Sequence, residues 1–188
     1  MPDRPDLSAL EDALVGHPRL RMQTRTFSLP AGTPVIRQGQ VCSDIFVLRA
    51  GLVKLHYATP AGKEWVKSFV ADRGLFGSRS AQMAGTGSAF AATCLEDCEL
   101  TALPYPAFFG TVLADPALAA QVLRFNEWLG LKKERREYDL LCRSAEERYR
   151  RFLDGDAALA ARLTQADIAR YLGITAIALS RIKRRLAA

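Results

Sequence analysis

From Phe27 to about Leu103 the apolar positions come in short runs, cut by glycines at 32, 39, 51, 62, 74 and 77. Segments such as Ile45-Phe-Val-Leu48 and Leu52-Val-Lys-Leu-His-Tyr57 are rich in β-branched and aromatic residues and too short for helices. They predict the strands of an antiparallel roll or sandwich. Ahead of them Leu7, Leu10 and Leu14 recur at helical spacing, which predicts a small lead-in helix closed near Gly16 and Pro18. After Asp115-Pro116 the period changes to that of a long helix, with Asp115 suited to the N-cap and Pro116 to the first helical position. Leu118, Val122, Phe125 and Leu129 follow the alternating four-and-three spacing of a coiled-coil seam. The stripe then runs onto Lys132 and Arg136, so only its first half is apolar. Such a stripe fits a dimer seam or a helix lying on the chain's own roll, and Trp128 and Leu131 on a second face make both contacts possible at once. From Ser144 onward the chain is helical and charged around Tyr149, Phe152 and Leu153, and Leu153-Asp-Gly-Asp156 predicts a break.

The most specific pattern is the segment Leu163-Thr-Gln-Ala-Asp-Ile-Ala-Arg-Tyr-Leu-Gly-Ile-Thr-Ala-Ile-Ala-Leu-Ser-Arg-Ile182. It fills each constrained position of a helix-turn-helix. Thr164 can cap the first helix, Ala169 is small where the two helices approach, and Gly173 permits the positive φ of the turn. Ile168, Leu172, Ile174, Leu179 and Ile182 supply buried contacts. Thr175 would cap the second helix, which buries Leu179, Ile182 and Leu186 along one stripe. The opposite face then displays Ala176, Ile177, Ser180, Arg181 and Arg184, with Lys183 and Arg185 flanking it. A basic helix of this kind fits a major groove lined by phosphates. Together with Thr164 and Thr175 these are the candidate DNA-binding residues. The chain therefore reads as α+β: an antiparallel, jelly-roll-like β-roll with its lead-in helix at 1–114, a long helix at 115–142, and a small helical unit at 143–188.

Composition narrows the function classes. Hydrophobic residues at 49% and charged residues at 24% are those of a folded globular chain. No apolar run approaches a membrane span, and the start carries Asp3, Asp6, Glu11 and Asp12 rather than a signal peptide's basic and apolar regions, so a cytoplasmic protein without membrane partners is expected. The net charge of +6 favours polyanionic partners without proving one. With two histidines and no zinc-finger spacing among Cys42, Cys94, Cys98 and Cys142, no metal or other cofactor site is expected. No nucleophile-base pair or phosphate loop has convincing spacing, and Gly85-Thr-Gly-Ser88 is too short to count as one, so no catalytic residue is assigned and no enzyme is expected.

Several segments carry a resemblance: Leu29-Pro-Ala-Gly-Thr33, Arg37-Gln-Gly-Gln40, Ser43-Asp-Ile-Phe-Val-Leu-Arg-Ala-Gly-Leu-Val-Lys54, Gly62-Lys-Glu64, Leu75-Phe-Gly77 and Leu95-Glu-Asp-Cys-Glu-Leu100. With the helix-turn-helix, they make the chain similar to the Crp/Fnr-type regulators over nearly its whole length. The resemblance implies a cyclic-nucleotide-type β-roll sensor, a long dimerising helix with a seam at Leu118, Val122, Phe125 and Leu129, and a DNA-binding unit at the C-terminus. It also implies double-stranded DNA, a second copy of the chain and RNA polymerase as partners. Arg181 matches a base-reading arginine of the family.

The same resemblance marks departures. Relatives that bind cyclic AMP carry a Glu directly after the Phe-Gly signature and an Arg further along, where this chain has Ser78 and Ser88. Without a guanidinium for the cyclic phosphate, charge-assisted bonds of roughly 1.5–3 kcal/mol each are missing, so cyclic AMP is not the expected effector. Phe76, Gly77, Ser78, Arg79, Ser88 and Ala89 remain the candidate effector pocket, with Arg79 either solvated or facing a different anion. Ala176 and Ile177 replace the Arg and Glu of receptor-type relatives, so a different operator is expected, with apolar contact to a thymine methyl. The winged hairpin that usually follows the motif does not occur before Ala188; either this branch lacks it or the chain is shortened. No cysteine cluster precedes Cys42, which disfavours the family's iron-sulfur type. Cys94 and Cys98, if on one strand, would lie about 13 Å apart, too far for a shared metal or disulfide. Cys142 either meets its dimer mate or is an inert thiol. The competing function is a β-roll ligand-binding signalling module whose helical tail docks a protein partner. The exposed basic face argues against it, because a docking helix would turn an apolar stripe outward.

Overall fold

The computed structural model describes residues 7–187. The chain runs α1 (Leu7–Gly16), α2 (Pro18–Arg21), β1 (Arg25–Leu29), β2 (Pro34–Ile36), β3 (Ile45–Ala50), β4 (Leu52–Ala58), β5 (Glu64–Ala71), β6 (Gly74–Gly77), α3 (Arg79–Ala84), β7 (Ala91–Cys94), β8 (Cys98–Leu103) and α4 (Tyr105–Ala114). It continues through α5 (Pro116–Cys142), α6 (Ala145–Ala161), α7 (Gln165–Tyr171) and α8 (Ala176–Ala187). The strands form two four-stranded antiparallel sheets, ordered β1-β8-β3-β6 and β2-β7-β4-β5. Their facing side chains, among them Phe46, Leu48, Val53, Leu55, Phe76, Phe90 and Leu100, make the interior of the roll. Gly51 joins β3 to β4 at φ +104, where a Cβ would sit 2.5 Å from the Asp97 carbonyl oxygen, so only glycine fits.

Strand alternation sends Val47 to the opposite face from Phe46 and Leu48. There it meets Leu7, Leu10 and Leu14 of α1, Leu20 of α2, Phe108 of α4 and Leu118 of α5 in a second cluster. Val122 and Phe125 pack against the same cluster, and Leu129 is half-buried. The stripe Leu118, Val122, Phe125, Leu129 thus lies along the chain's own roll, with Leu118 buried and the other three half-buried. Asp115 caps α5 by accepting the Ala117 and Leu118 amides at 2.9 and 3.0 Å, with Pro116 at the first helical position.

Ser144 begins α6 with a capping box to Glu147. The break expected at Leu153–Asp156 is a bend: Asp156 leaves helical geometry (φ −147, ψ 45), and the helix then resumes to Ala161. A third cluster joins Tyr149 and Phe152 of α6, Leu163, Ile168, Ala169 and Leu172 around α7, and Leu179 and Ile182 of α8. Leu52, Val66 and Phe69 of β4 and β5 belong to it too, so the C-terminal helices are seated directly on the roll. Cys94 and Cys98 do not share a strand. Cys94 ends β7 and Cys98 begins β8, in different sheets across a three-residue turn, and both are buried. Burial, and then the neighbouring Cys98 thiol, push the Cys94 thiol up to about 12, which leaves it unreactive as a nucleophile.

Candidate nucleic-acid interface

The helix-turn-helix is built by short-range bonds that its spacing dictates. Thr164 Oγ1 accepts the Asp167 amide at 3.1 Å and donates to the Asp167 carboxylate at 2.6 Å, fixing the start of α7. Gly173 takes φ +70, and the Ile174 amide returns to the Ala169 carbonyl at 3.0 Å, closing the turn. Thr175 Oγ1 accepts the Ala178 amide at 3.2 Å at the start of α8. Leu179 and Ile182 are buried and Leu186 half-buried, which fixes the roll angle of α8 about its axis.

With that stripe inward, Ala176, Ile177, Ser180, Arg181 and Arg184 are exposed, and Lys183 and Arg185 flank them in solvent. Ile177 is 68% exposed, an apolar side chain with no core to enter. Among the described residues Arg181, Lys183 and Arg184 have no hydrogen-bond or ion-pair partner. Arg185 differs, since its Nη2 lies 3.2 Å from Glu146 of α6. A cationic face with unpaired guanidinium and ammonium groups on a rigid helix can reach phosphates, and a bidentate arginine can reach a base edge.

The six candidate pocket residues lie together on β6, α3 and the loop before β7, but their polar groups are satisfied within the chain. Ser88 is buried, and its hydroxyl donates to the Phe90 carbonyl at 2.7 Å. Ser78 is buried too and shares a hydrogen bond of 3.0 Å with Ser80, which in turn donates to the Gly87 carbonyl at 3.1 Å. Phe76 stacks on Phe46 in the roll interior, a Cβ on Gly77 would meet the Gln82 amide, and Ala89 is exposed. Arg79, placed by sequence either in solvent or against an anion, is exposed and also donates to Asn126 Oδ1 of α5 at 3.0 Å. It ties the cradle to the long helix.

Residues 26–115 match the family model described as the cyclic nucleotide-binding domain. Among solved structures, FixK2 from Bradyrhizobium japonicum is similar at 20% identity, covering 87% of this chain and 84% of that one with a TM-score of 0.75. The c-di-GMP responsive global regulator CLP of Xanthomonas campestris is similar at 16% identity, covering 96% and 91%, also at 0.75. A CooA mutant from Carboxydothermus hydrogenoformans gives 17% identity, 88% and 77% coverage, and 0.73. The chain has the fold of the Crp/Fnr-type regulators. A comparison with curated proteins finds no match.

In this Crp/Fnr-type fold, three polar joints hold the helix-turn-helix to the roll, and none of them is signalled by the sequence pattern. Lys54 Nζ of β4 lies 2.8 Å from Glu64 of β5 and 3.1 Å from Asp167 of α7, with side chains only 11% and 8% exposed for Lys54 and Asp167. Arg170 of α7 approaches Glu64 at 3.2 Å, and His56 Nδ1 lies 3.3 Å from its other oxygen. Burial pushes the Glu64 carboxyl up, but the Lys54 hydrogen bond and the surrounding cations outweigh it and hold the group below its ordinary value. Burial, opposed by Glu64, holds His56 below the ordinary histidine value. At the second joint Arg162 grips Glu96 with two bonds of 2.6 and 2.9 Å and Asp72 with one of 2.7 Å. At the third, Arg136 Nη2 of α5 donates to the Val66 carbonyl of β5 at 2.8 Å and the Tyr171 carbonyl of α7 at 2.9 Å. Its guanidinium also lies 4.0 Å from the Tyr171 ring centroid. In sequence these are ordinary surface charges, and Lys54 and Asp167 stand 113 residues apart.

Proposed function

We propose that the chain is a sequence-specific DNA-binding transcriptional regulator that binds a palindromic operator as a homodimer and does not respond to cyclic AMP. The observation that carries this reading is α8: its apolar stripe is buried, and the exposed face opposite holds Arg181, Lys183 and Arg184 without partners among the described residues. A solvated structural helix gains nothing from keeping cations unpaired on one face, whereas phosphates supply their counter-charge. Selection of bound duplexes from a random pool tests it: a recurring two-fold palindrome is expected, and recovery of unrelated sequences contradicts sequence-specific reading.

Support for the homodimer comes from α5. Its roll-facing stripe leaves Leu123, Leu131, Tyr138 and Leu141 at 59, 50, 55 and 77% exposed. At about 100° per residue these four fall within about 80° of one another, opposite Leu118, Val122 and Phe125. A second copy related by a two-fold axis would cover this row, which makes the seam the other face of the helix from the one its heptad stripe suggested. Replacing Leu131 with glutamate is expected to shift the protein from dimer to monomer in light scattering at micromolar concentration; a dimer that persists unchanged places the interface elsewhere.

The second expectation concerns cyclic AMP. With the Ser78 and Ser88 hydroxyls already bonded inside the chain and the Arg79 guanidinium turned to Asn126 of α5, the cradle holds no arginine at the Ser88 position to pair the ligand's phosphate. Millimolar cyclic AMP should leave the melting temperature unchanged, and a saturable rise would overturn the point.

A further inference from the structure

The corner between α5 and α6 is two extended residues, Arg143 (φ −111, ψ 147) and Ser144 (φ −63, ψ 158), with no element between the helices. A helix leaves the carbonyls of its last turn without intrahelical partners, and α5 and α7 both end beside this corner. Arg148, one turn into α6, serves both ends at once. Its Nη1 donates to the Arg143 carbonyl at 2.7 Å and lies 3.5 Å from the Leu140 carbonyl of α5, while its Nε donates to the Leu172 carbonyl at the end of α7 at 3.0 Å. The neighbouring Tyr171 carbonyl takes the Arg136 bond from α5. Two consecutive carbonyls at the end of α7 are thus held by arginines of two other helices. A Cβ on Gly173, the next residue, would lie 3.2 Å from Leu140 Cδ2, so the turn into α8 touches the last turn of α5 directly.

These contacts sit at the end of α7 from which α8 departs. The Lys54 and Arg162 joints hold the other end, at Asp167 in the first turn of α7 and at the residue where α6 stops. Apolar contacts between these points are non-directional, whereas a planar fork on fixed carbonyls sets an angle. With the start of α7 pinned, Arg148 and Arg136 remove the remaining swing about it. The lever is long, since α8 has 12 residues and so spans about 18 Å. A swing of about 10° moves its far end by about 3 Å, close to one base-pair step of about 3.4 Å. α5 also carries the exposed apolar row through which a second copy would pair, so an angle fixed to α5 is fixed to the two-fold axis, which doubles any error.

We propose that Arg148, with Arg136 beside it, is a positioning residue that fixes the separation of the two recognition helices and so the number of base pairs between operator half-sites. The inference rests on the reading of the chain as a homodimeric DNA-binding regulator and adds to it a determinant of specificity that touches no DNA. A purely structural arginine would weaken every duplex alike when lost. A positioning one acts only where both half-sites are engaged, because the gain from two-site binding disappears when geometry forbids simultaneous contact.

The test titrates the full chain against the selected operator, against the same operator with its spacer shortened by one base pair or lengthened by one or two, and against a duplex with a single half-site. Wild type is expected to lose about tenfold to a hundredfold in affinity when the spacer changes. Arg148→Met should flatten that profile to within about threefold while binding the single half-site as wild type does. Arg148→Lys, which keeps the charge but not the planar fork, should flatten it as well, and it carries the test if the methionine variant does not fold. Arg150→Met removes a cation of the same helix that pairs with Glu146, and it should keep the wild-type profile. A wild type indifferent to spacer length, a profile as steep in the Arg148 variants as in wild type, or a loss on the single half-site equal to the loss on the operator overturns the proposal. Wild type that selects no palindrome overturns the regulator reading itself and this inference with it, which keeps the two failures apart.

Discussion

Replacing Lys54 with methionine is expected to lower stability by about 3 kcal/mol, one of the two largest effects anticipated for a single substitution in this chain. Lys54 is the cation shared by Glu64 and Asp167, and both it and Asp167 are nearly closed to water. Methionine keeps the apolar stem but leaves two carboxylates facing each other, and breaking a buried pair in this way costs about 3–5 kcal/mol. The lower end applies because Glu64 is a quarter exposed and keeps Arg170 and His56 beside it. For a chain of this length the melting temperature should fall by about 6–12 °C. Neutralising both acids as well, with Glu64→Gln and Asp167→Asn, should recover most of the loss, because the penalty lies in the orphaned charges. If the triple variant is no more stable than Lys54→Met, packing rather than charge governs the joint.

The same cluster contributes to the acid limb of stability, beside Asp72 and Glu96: burial raises Asp72, but Arg162 holds both below their ordinary values. His56 is held below its ordinary value of 6.5 and Glu64 below 4.5, so in both cases the unfolded chain binds the proton more readily. Stability should therefore fall as pH drops below about 6.5, when the unfolded histidine charges first, and fall further below about 4.5. In Lys54→Met the lower step should shrink, since Glu64 loses the lysine that holds it down.

The helix-turn-helix was legible because its constraints are local. A threonine cap, an alanine at the crossing, a glycine at positive φ and a stripe of leucine and isoleucine each occupy a position whose role depends on residues a few places away. The lead-in helix, the Asp115 cap and the short strands were legible for the same reason. The joints between roll and helices were not, because a charged residue on a strand reads as solvated until a partner from a distant segment covers it, as Asp167 covers Lys54. The α5 stripe fits a seam and a core contact equally well, and only the position of the roll decides that Leu118 is covered by its own chain. Cys94 and Cys98 look like one strand because the turn between them is three residues long. The β-bulge of β5, where Leu55 stands opposite Ser68 and His56 opposite Val66 and Lys67 has no opposing position, leaves the sequence unmarked, since an inserted residue inside Trp65-Val-Lys-Ser-Phe69 looks like any other step of the alternation.

The second large effect is expected at Arg181, which projects from the exposed face of α8 and makes no hydrogen bond or ion pair among the described residues. An arginine at a base-reading position donates two parallel bonds to O6 and N7 of guanine, worth about 1–3 kcal/mol of discrimination. Arg181→Ala should therefore weaken operator binding about tenfold to a hundredfold and relax selection at one guanine per half-site. Lys183, on the flank, should meet phosphate, so Lys183→Ala should weaken all duplexes alike and lower the salt slope by about one. Arg185 was expected from sequence to play that flanking part, but its ion pair with Glu146 makes its loss a mixture of DNA and fold effects. The most direct measurement is a titration of wild type, Arg181→Ala and Lys183→Ala against the selected operator and a random duplex at two salt concentrations. The account predicts that Arg181→Ala loses affinity for the operator while largely keeping it for random duplex. Equal losses on both duplexes would contradict base reading by α8.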